Sequence, residues 1–198
     1  MRLIVAKDYA DVSRKAANII AAQVHLKPDC VLGLATGSSP VGTYKELIAK
    51  YESGELDFSQ VKTINLDEYV GLTKDHDQSY AYFMRTNLFD HVNIDQANCN
   101  SPDGTNPDAA AECARYDAVI EAFGGADLQL LGLGPNGHIG FTGQVRPAVM
   151  RCAKQRDCAP IHILPHYTSF IHIFLVIYLS FCIFTPLYIS YFYNALQT

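Results

Sequence analysis

Apolar residues recur along the first two thirds of the chain in two alternating patterns. Short, nearly unbroken apolar runs end in glycine, proline or polar residues at Arg2–Ala6, Cys30–Ala35, Val61–Leu66 and Asp127–Leu133. Runs of that length and composition predict strands buried on both faces, as in a parallel sheet. Between the first two, Val12, Ala16, Ile20 and Val24 repeat every four residues, which predicts an amphipathic helix over Asp8–Leu26. Further helices are predicted over Pro40–Tyr51, stopped by Ser53 and Gly54, from about Ser79 to Phe89, and over Asp108–Phe123. Asn98–Pro107 reads as a polar loop. Strands alternating with helices imply an α/β domain with a parallel sheet and right-handed crossovers.

Three strand ends carry polar chemistry, and open α/β sheets place ligands at the carboxyl ends of their strands. After Leu128–Leu133 the chain reads Gly134-Pro135-Asn136-Gly137-His138. Glycine permits a sharp turn and close approach to a ligand, and imidazole suits proton transfer near neutral pH. After Cys30–Ala35 come Thr36, Gly37, Ser38 and Ser39, then a helix starting near Pro40. Backbone N–H groups at a helix start, with hydroxyls beside them, suit a phosphate. The same residues read equally as a serine N-cap with proline just inside the helix. After Val61–Leu66 stands the acidic pair Asp67-Glu68. A carboxylate there is a candidate general base, against the simpler readings of a helix cap or a solvated turn.

Taken together, Ala35–Pro40, Asn65–Leu72 and Gly132–Phe141 resemble the glucosamine-6-phosphate deaminase family in order and interval, as do Ser79-Tyr80, Phe83-Met84 and Phe89-Asp90-His91-Val92 between them. The resemblance covers about residues 1–141. It implies a modified Rossmann-like sugar-phosphate isomerase fold, incomplete at the C-terminus. The implied reaction takes glucosamine 6-phosphate and water to fructose 6-phosphate and ammonia, with neither metal nor organic cofactor. By resemblance Asp67 is the base that moves a proton from C2 to C1. His138 opens the sugar ring, Asn136 orients that histidine, and Thr36, Gly37, Ser38 and Ser39 hold the substrate phosphate. The implied partner is an amino-sugar phosphate, and the family allows a homo-oligomer.

The resemblance stops after Phe141. The family continues Phe-Asn-Glu-Pro, whereas this chain reads Phe141-Thr142-Gly143-Gln144. Gly143 therefore stands where the family has the glutamate that completes the ring-opening relay, and neither Arg146 nor Arg151 matches a phosphate-binding motif. From Ala159 to Thr198 there is no Asp, Glu, Lys or Arg, where an ordinary globular composition would place about seven charges. The apolar stretch 167–184 has the length of a transmembrane candidate, with Arg151, Lys154 and Arg156 on its N-terminal side. An anchor there would leave half a sheet uncovered. The simultaneous loss of motif and charge instead favours a shifted frame or retained intron translated after about residue 142. The organisation expected is thus a deaminase-like N-terminal part, 1–141, and an unmatched apolar tail, 142–198.

A formal net charge of −5 and the lack of any basic stripe argue against a nucleic-acid role. The six cysteines show no C-x-x-C spacing, so neither a zinc site nor a redox pair is indicated. Met1–Ala6 leads directly into a strand rather than a signal peptide, so the matched part is expected in the cytoplasm. Two alternatives remain open: a 6-phosphogluconolactonase-like hydrolase, and a catalytically dead fragment that is unfolded or bound to an intact partner. Asp67–Leu72 favours the deaminase over the lactonase, and Gly143 with the tail favours the dead fragment.

Overall fold

The computed structural model describes residues 2–133, 149–151, 159–165 and 174–179. In chain order the elements are β1 (Arg2–Ala6), α1 (Tyr9–Leu26), β2 (Val31–Leu34), α2 (Val41–Glu52), β3 (Lys62–Asn65), β4 (Asp67–Tyr69), α3 (Tyr80–Asn87), β5 (Cys99–Asn100), α4 (Ala109–Ala122), β6 (Leu128–Leu133), β7 (Val149–Arg151), β8 (Ala159–Pro165) and β9 (Phe174–Leu179). The predicted strands and helices of the first 133 residues all form, with ends shifted by one or two residues. Their starts follow local chemistry. Asp8, Ser79 and Asp108 each accept a hydrogen bond from a first-turn N–H of α1, α3 and α4, which satisfies a donor the helix leaves unpaired.

Sheet order is β1-β8-β9-β6-β2-β3-β5. The β2–β3 pair is parallel, and its register sets Leu34 opposite Asn65. The chain therefore leaves both strands at the same level, so Thr36–Ser39 and Asp67 emerge side by side at one end of the sheet. Parallel pairing of β2 with β6 brings a third strand alongside.

Helices cover both faces. The predicted stripe Val12, Ala16, Ile20 and Val24 is buried, and it joins Tyr44 and Leu47 of α2 and Met84 of α3 over Leu32, Leu34, Leu128 and Leu130. On the opposite face Tyr116 and Ile120 of α4 cover Val31 and Ile64. Alternation along β2 thus feeds two separate packing layers. Leu47 is fully buried, and truncating such a side chain to Ala costs about 2–5 kcal/mol.

Two features differ from expectation. Cys99–Asn100 lies inside the stretch read as a polar loop and pairs with β3; two residues are too few to show a period. The sheet also does not stop at β6, as a reading of four matched strands would have it. Antiparallel β9 runs beside β6 from Leu128↔Leu179 to Leu133↔Phe174, and β8 bridges β9 to β1. Phe174–Leu179 is six consecutive apolar residues, a strand-length segment that can join any open ladder. That strand lies within the stretch of transmembrane length. Among the described residues no helix is long and apolar enough to cross a membrane.

Candidate active site

The turn after β2 is built by its backbone. Gly37 has φ of 94°, a left-handed conformation that costs glycine little. Pro40, not a serine, occupies the N-cap of α2 and makes no side-chain capping bond, so the simple serine-cap reading is not how this helix starts. No hydrogen bond joins the Ser38 or Ser39 hydroxyl to another described residue. Ser38 is exposed, and Thr36 and Ser39 are half-buried. Beneath the turn, the buried Tyr44 hydroxyl donates to the Ala35 carbonyl at 2.5 Å. From α1, the Tyr9 hydroxyl lies 3.2 Å from both the Ser38 and Ser39 carbonyl oxygens and accepts the Gly42 N–H at 2.7 Å.

The turn after β3 is fixed from both sides. Asn65 donates its side-chain amide to the Leu34 carbonyl at 3.0 Å, tying the two strand ends together. The Tyr116 hydroxyl accepts the Asn65 N–H at 3.0 Å and lies within 2.9 Å of the Asn65 and Asn100 carbonyl oxygens. The acidic pair that follows divides its labour. Glu68, 2% exposed, accepts the N–H groups of Tyr69 and Tyr80 on one oxygen, both at 2.8 Å, and that of Ala81 on the other at 2.9 Å. Its charge thus sits at the positive end of α3. The helix-cap reading therefore applies to Glu68. Asp67 is buried too, at 8% exposure.

Tyr80 packs against the Asp67 turn. Its ring packs at 45° to that of Tyr69, centroids 4.8 Å apart, and the two hydroxyls lie 3.4 Å from each other. The same phenol lies near enough to Asp67 to feel its charge. Burial first, then the Tyr69 hydroxyl and the Asp67 carboxylate, push its pKa well above the usual phenol value, so Tyr80 is a neutral donor across the physiological range. The motifs gave no sign of this role for Tyr80, nor of the roles of Tyr9 and Tyr69. All three act through hydroxyls brought in from other elements, and periodicity does not report such contacts.

The third strand end comes close to the first. A Cβ placed on Gly132 in β6 would stand 3.9 Å from the Ser39 side chain. Asn136 and His138, which follow in sequence, lie outside the described residues, as do Gly143 and Arg146. Strand β7 pairs antiparallel with β4, setting Arg151 opposite Asp67 in register. Among the described residues no group of three or more His, Cys, Asp or Glu is placed to hold a metal ion. Burial pushes the Cys30 thiol up to about 12 and that of Cys99 up to about 11, which makes both poor nucleophiles.

A family model for glucosamine-6-phosphate isomerases and 6-phosphogluconolactonase matches residues 6–161. The chain belongs to that family. Within it, the chain is 62% identical over 141 residues to a glucosamine-6-phosphate deaminase of Clostridium perfringens (strain SM101), a match covering 71% of this chain and 58% of the relative. It therefore spans less than two thirds of that relative's length. The solved structure of a monomeric glucosamine-6-phosphate deaminase superposes with a TM-score of 0.70 at 42% identity, over 71% of this chain and 58% of that one. A 6-phosphogluconolactonase from Trypanosoma cruzi shares the fold, with a TM-score of 0.59 at 20% identity over 90% of this chain and 74% of that one.

Proposed function

We propose that this family member carries the phosphate-anchoring and proton-transferring part of a glucosamine-6-phosphate deaminase site. The observation that carries it is the meeting of two strand ends: Thr36–Ser39 after β2 and Asp67 after β3, level in register and tied together by the Asn65 side-chain amide on the Leu34 carbonyl. The high identity to deaminases, against a fold-level likeness to lactonases, supports the same choice.

The steps follow from what each group can do. Thr36, Gly37, Ser38 and Ser39 bind the phosphate, and that remote binding energy holds the reacting carbons in place. His138, oriented by Asn136, takes the C1 hydroxyl proton and protonates the ring oxygen, giving the open-chain aldehyde. Asp67 then moves the proton from C2 to C1, while the amino nitrogen gives up a proton and the C1 oxygen takes one, leaving a hydroxyl at C1 and an imine at C2. Water adds there, ammonia leaves, and fructose 6-phosphate remains. A carboxylate can serve as that base only within hydrogen-bond reach of the moving proton, and Glu68 fixes the Asp67 turn through three backbone bonds.

We infer further that the chain as written turns over little. Gly143 stands where the family's relay carboxylate belongs, and members of one catalytic unit are strongly non-additive, so losing one can cost nearly as much as losing all. The reading is tested by following ammonia release and C2-to-C1 hydrogen transfer from glucosamine 6-phosphate, in parallel with hydrolysis of 6-phosphogluconolactone. Ammonia release that depends on Asp67 supports the deaminase. Lactone hydrolysis without ammonia release would favour the hydrolase and overturn it.

A further inference from the structure

We propose that Tyr9 is a positioning residue for the phosphate loop: its hydroxyl holds the Ser38 and Ser39 carbonyls away from the anion and fixes the first turn of α2. The proposal rests on the reading of Thr36–Ser39 as that loop.

Tyr9 is the first residue of α1, just after the Asp8 cap, and lies 29 to 33 residues from the groups it binds. Its oxygen is 3.2 Å from each of the two carbonyl oxygens and accepts the Gly42 N–H at 2.7 Å. One hydroxyl proton cannot serve two acceptors fully, so it is shared or alternates between them. Either way both carbonyls face α1. In a planar trans peptide the C=O and the following N–H point in opposite directions. Turning the Ser38 carbonyl toward Tyr9 therefore turns the Ser39 N–H away from α1. A carbonyl oxygen carries partial negative charge and would repel a phosphate, whereas an N–H attracts it. The latch thus sets the sign of the field that the turn offers to an anion.

The contact is built in rather than incidental. A Cβ on Gly42 would fall 3.0 Å from Tyr9 Cε1 and 2.3 Å from Ser13 Oγ, so only glycine at position 42 lets the tyrosine ring and α1 come this close. Pro40 has no N–H and provides no side-chain cap, so the Tyr9 hydroxyl takes up a first-turn N–H of α2 that no capping side chain of that helix serves.

The test compares the full chain with its Tyr9→Phe variant, which deletes the hydroxyl and keeps the ring. Calorimetric titration with inorganic phosphate is expected to show affinity lower by roughly three- to tenfold in the variant, the scale of one lost hydrogen bond. Binding of unphosphorylated glucosamine should not change. Hydrogen exchange at the Gly42 amide should speed up while exchange in the middle of α1 stays as it was. If Tyr9→Phe does not fold, Gly42→Ala breaks the same contact from the other side and must give the same selective loss. Equal phosphate affinity in the full chain and the variant would overturn this proposal and leave the phosphate loop standing. Failure of the unaltered chain to bind phosphate would overturn both.

Discussion

Between Arg2 and Leu133 the turns after β2 and β3 are pinned by side-chain hydrogen bonds, several of them from elements far away in sequence, whereas the 40 residues from Ala159 onward contain no charged side chain at all. Thr36–Ser39 is held by Tyr9 and Tyr44, and the Asp67 turn by Glu68, Asn65 and Tyr116. The tail shows none of these motifs, yet Ala159–Pro165 and Phe174–Leu179 take places in the central sheet. The difference shows that joining a sheet needs little more than an apolar segment of the right length with backbone to share. Building a site requires particular hydrogen bonds between elements far apart in sequence. A chain can therefore extend its sheet without extending its chemistry.

The sharpest way to break this contrast is at Asp67. In a chain whose family-type sequence is restored after Phe141, Asp67→Asn should lower ammonia release by about 10²- to 10⁴-fold, because an amide cannot accept the C2 proton. Incorporation of solvent deuterium at C1 should vanish with it. Deuterium still appearing at C1 with Asn at this position would move the base elsewhere. A smaller effect is expected at the support beneath it. Glu68→Ala leaves the Tyr69, Tyr80 and Ala81 N–H groups without their acceptor and should destabilise the fold by about 2–3 kcal/mol, read as a lower midpoint in urea. A midpoint that does not move would mean that water replaces the carboxylate at no cost and that the turn is held by other contacts.

At the neighbouring strand end, replacing Ser38 and Ser39 together by Ala should weaken phosphate binding by roughly 1–3 kcal/mol in calorimetry. Unchanged affinity would leave the backbone alone as the ligand. The smallest expected effect lies farther out. Glu112 is paired with Arg115, accepts the Asp103 N–H and is held down to about 2 from its usual 4.5, chiefly by the Arg115 guanidinium. Its folded carboxyl binds a proton less readily than its unfolded one. The stabilisation is therefore complete above about pH 4.5 and is lost as pH falls toward 2. The loop it anchors supports the Asp67 side of the site, since the Gly104 carbonyl accepts the Gly71 N–H. Glu112→Gln should flatten the acid limb of a stability–pH curve, and an unaltered limb would assign it to other carboxylates.

How much of this could be read in the sequence follows the same division. The α1 stripe was legible because burial of one helix face imposes a period of about four, and the four strands because burial on both faces leaves short unbroken apolar runs that end in glycine, proline or polar residues. The motifs after β2 and β3 stood out because glycine, hydroxyl and carboxylate residues interrupt apolar runs there, whereas Asn136 and His138 lie outside the described residues. The serine-cap reading of Ser38 and Ser39 and the shared cap reading of Asp67-Glu68 could be decided only in three dimensions, where Pro40 sits at the N-cap and Glu68 accepts the Tyr80 and Ala81 N–H groups. The hydrogen bonds of Tyr9 and Tyr116 gave no signal, since a hydroxyl that crosses 30 or 50 residues leaves no pattern along the chain, and Tyr69 and Tyr80 stood inside quoted motifs that did not show their hydroxyls meeting. Strand β5 was too short to register, and β9 was visible only as apolar length, which did not say whether it would enter a sheet.

The central claim is that a deaminase site begins in this chain and is left unfinished after Phe141. Its most direct test measures ammonia release from glucosamine 6-phosphate by two proteins: the chain as written, and the same residues 1–141 followed by family-type sequence beginning Phe-Asn-Glu-Pro. Turnover in the second and little or none in the first is the predicted result. Equal rates would contradict it, because residues 142–198 would then supply a working second half despite Gly143 and the absence of charge from Ala159 to Thr198.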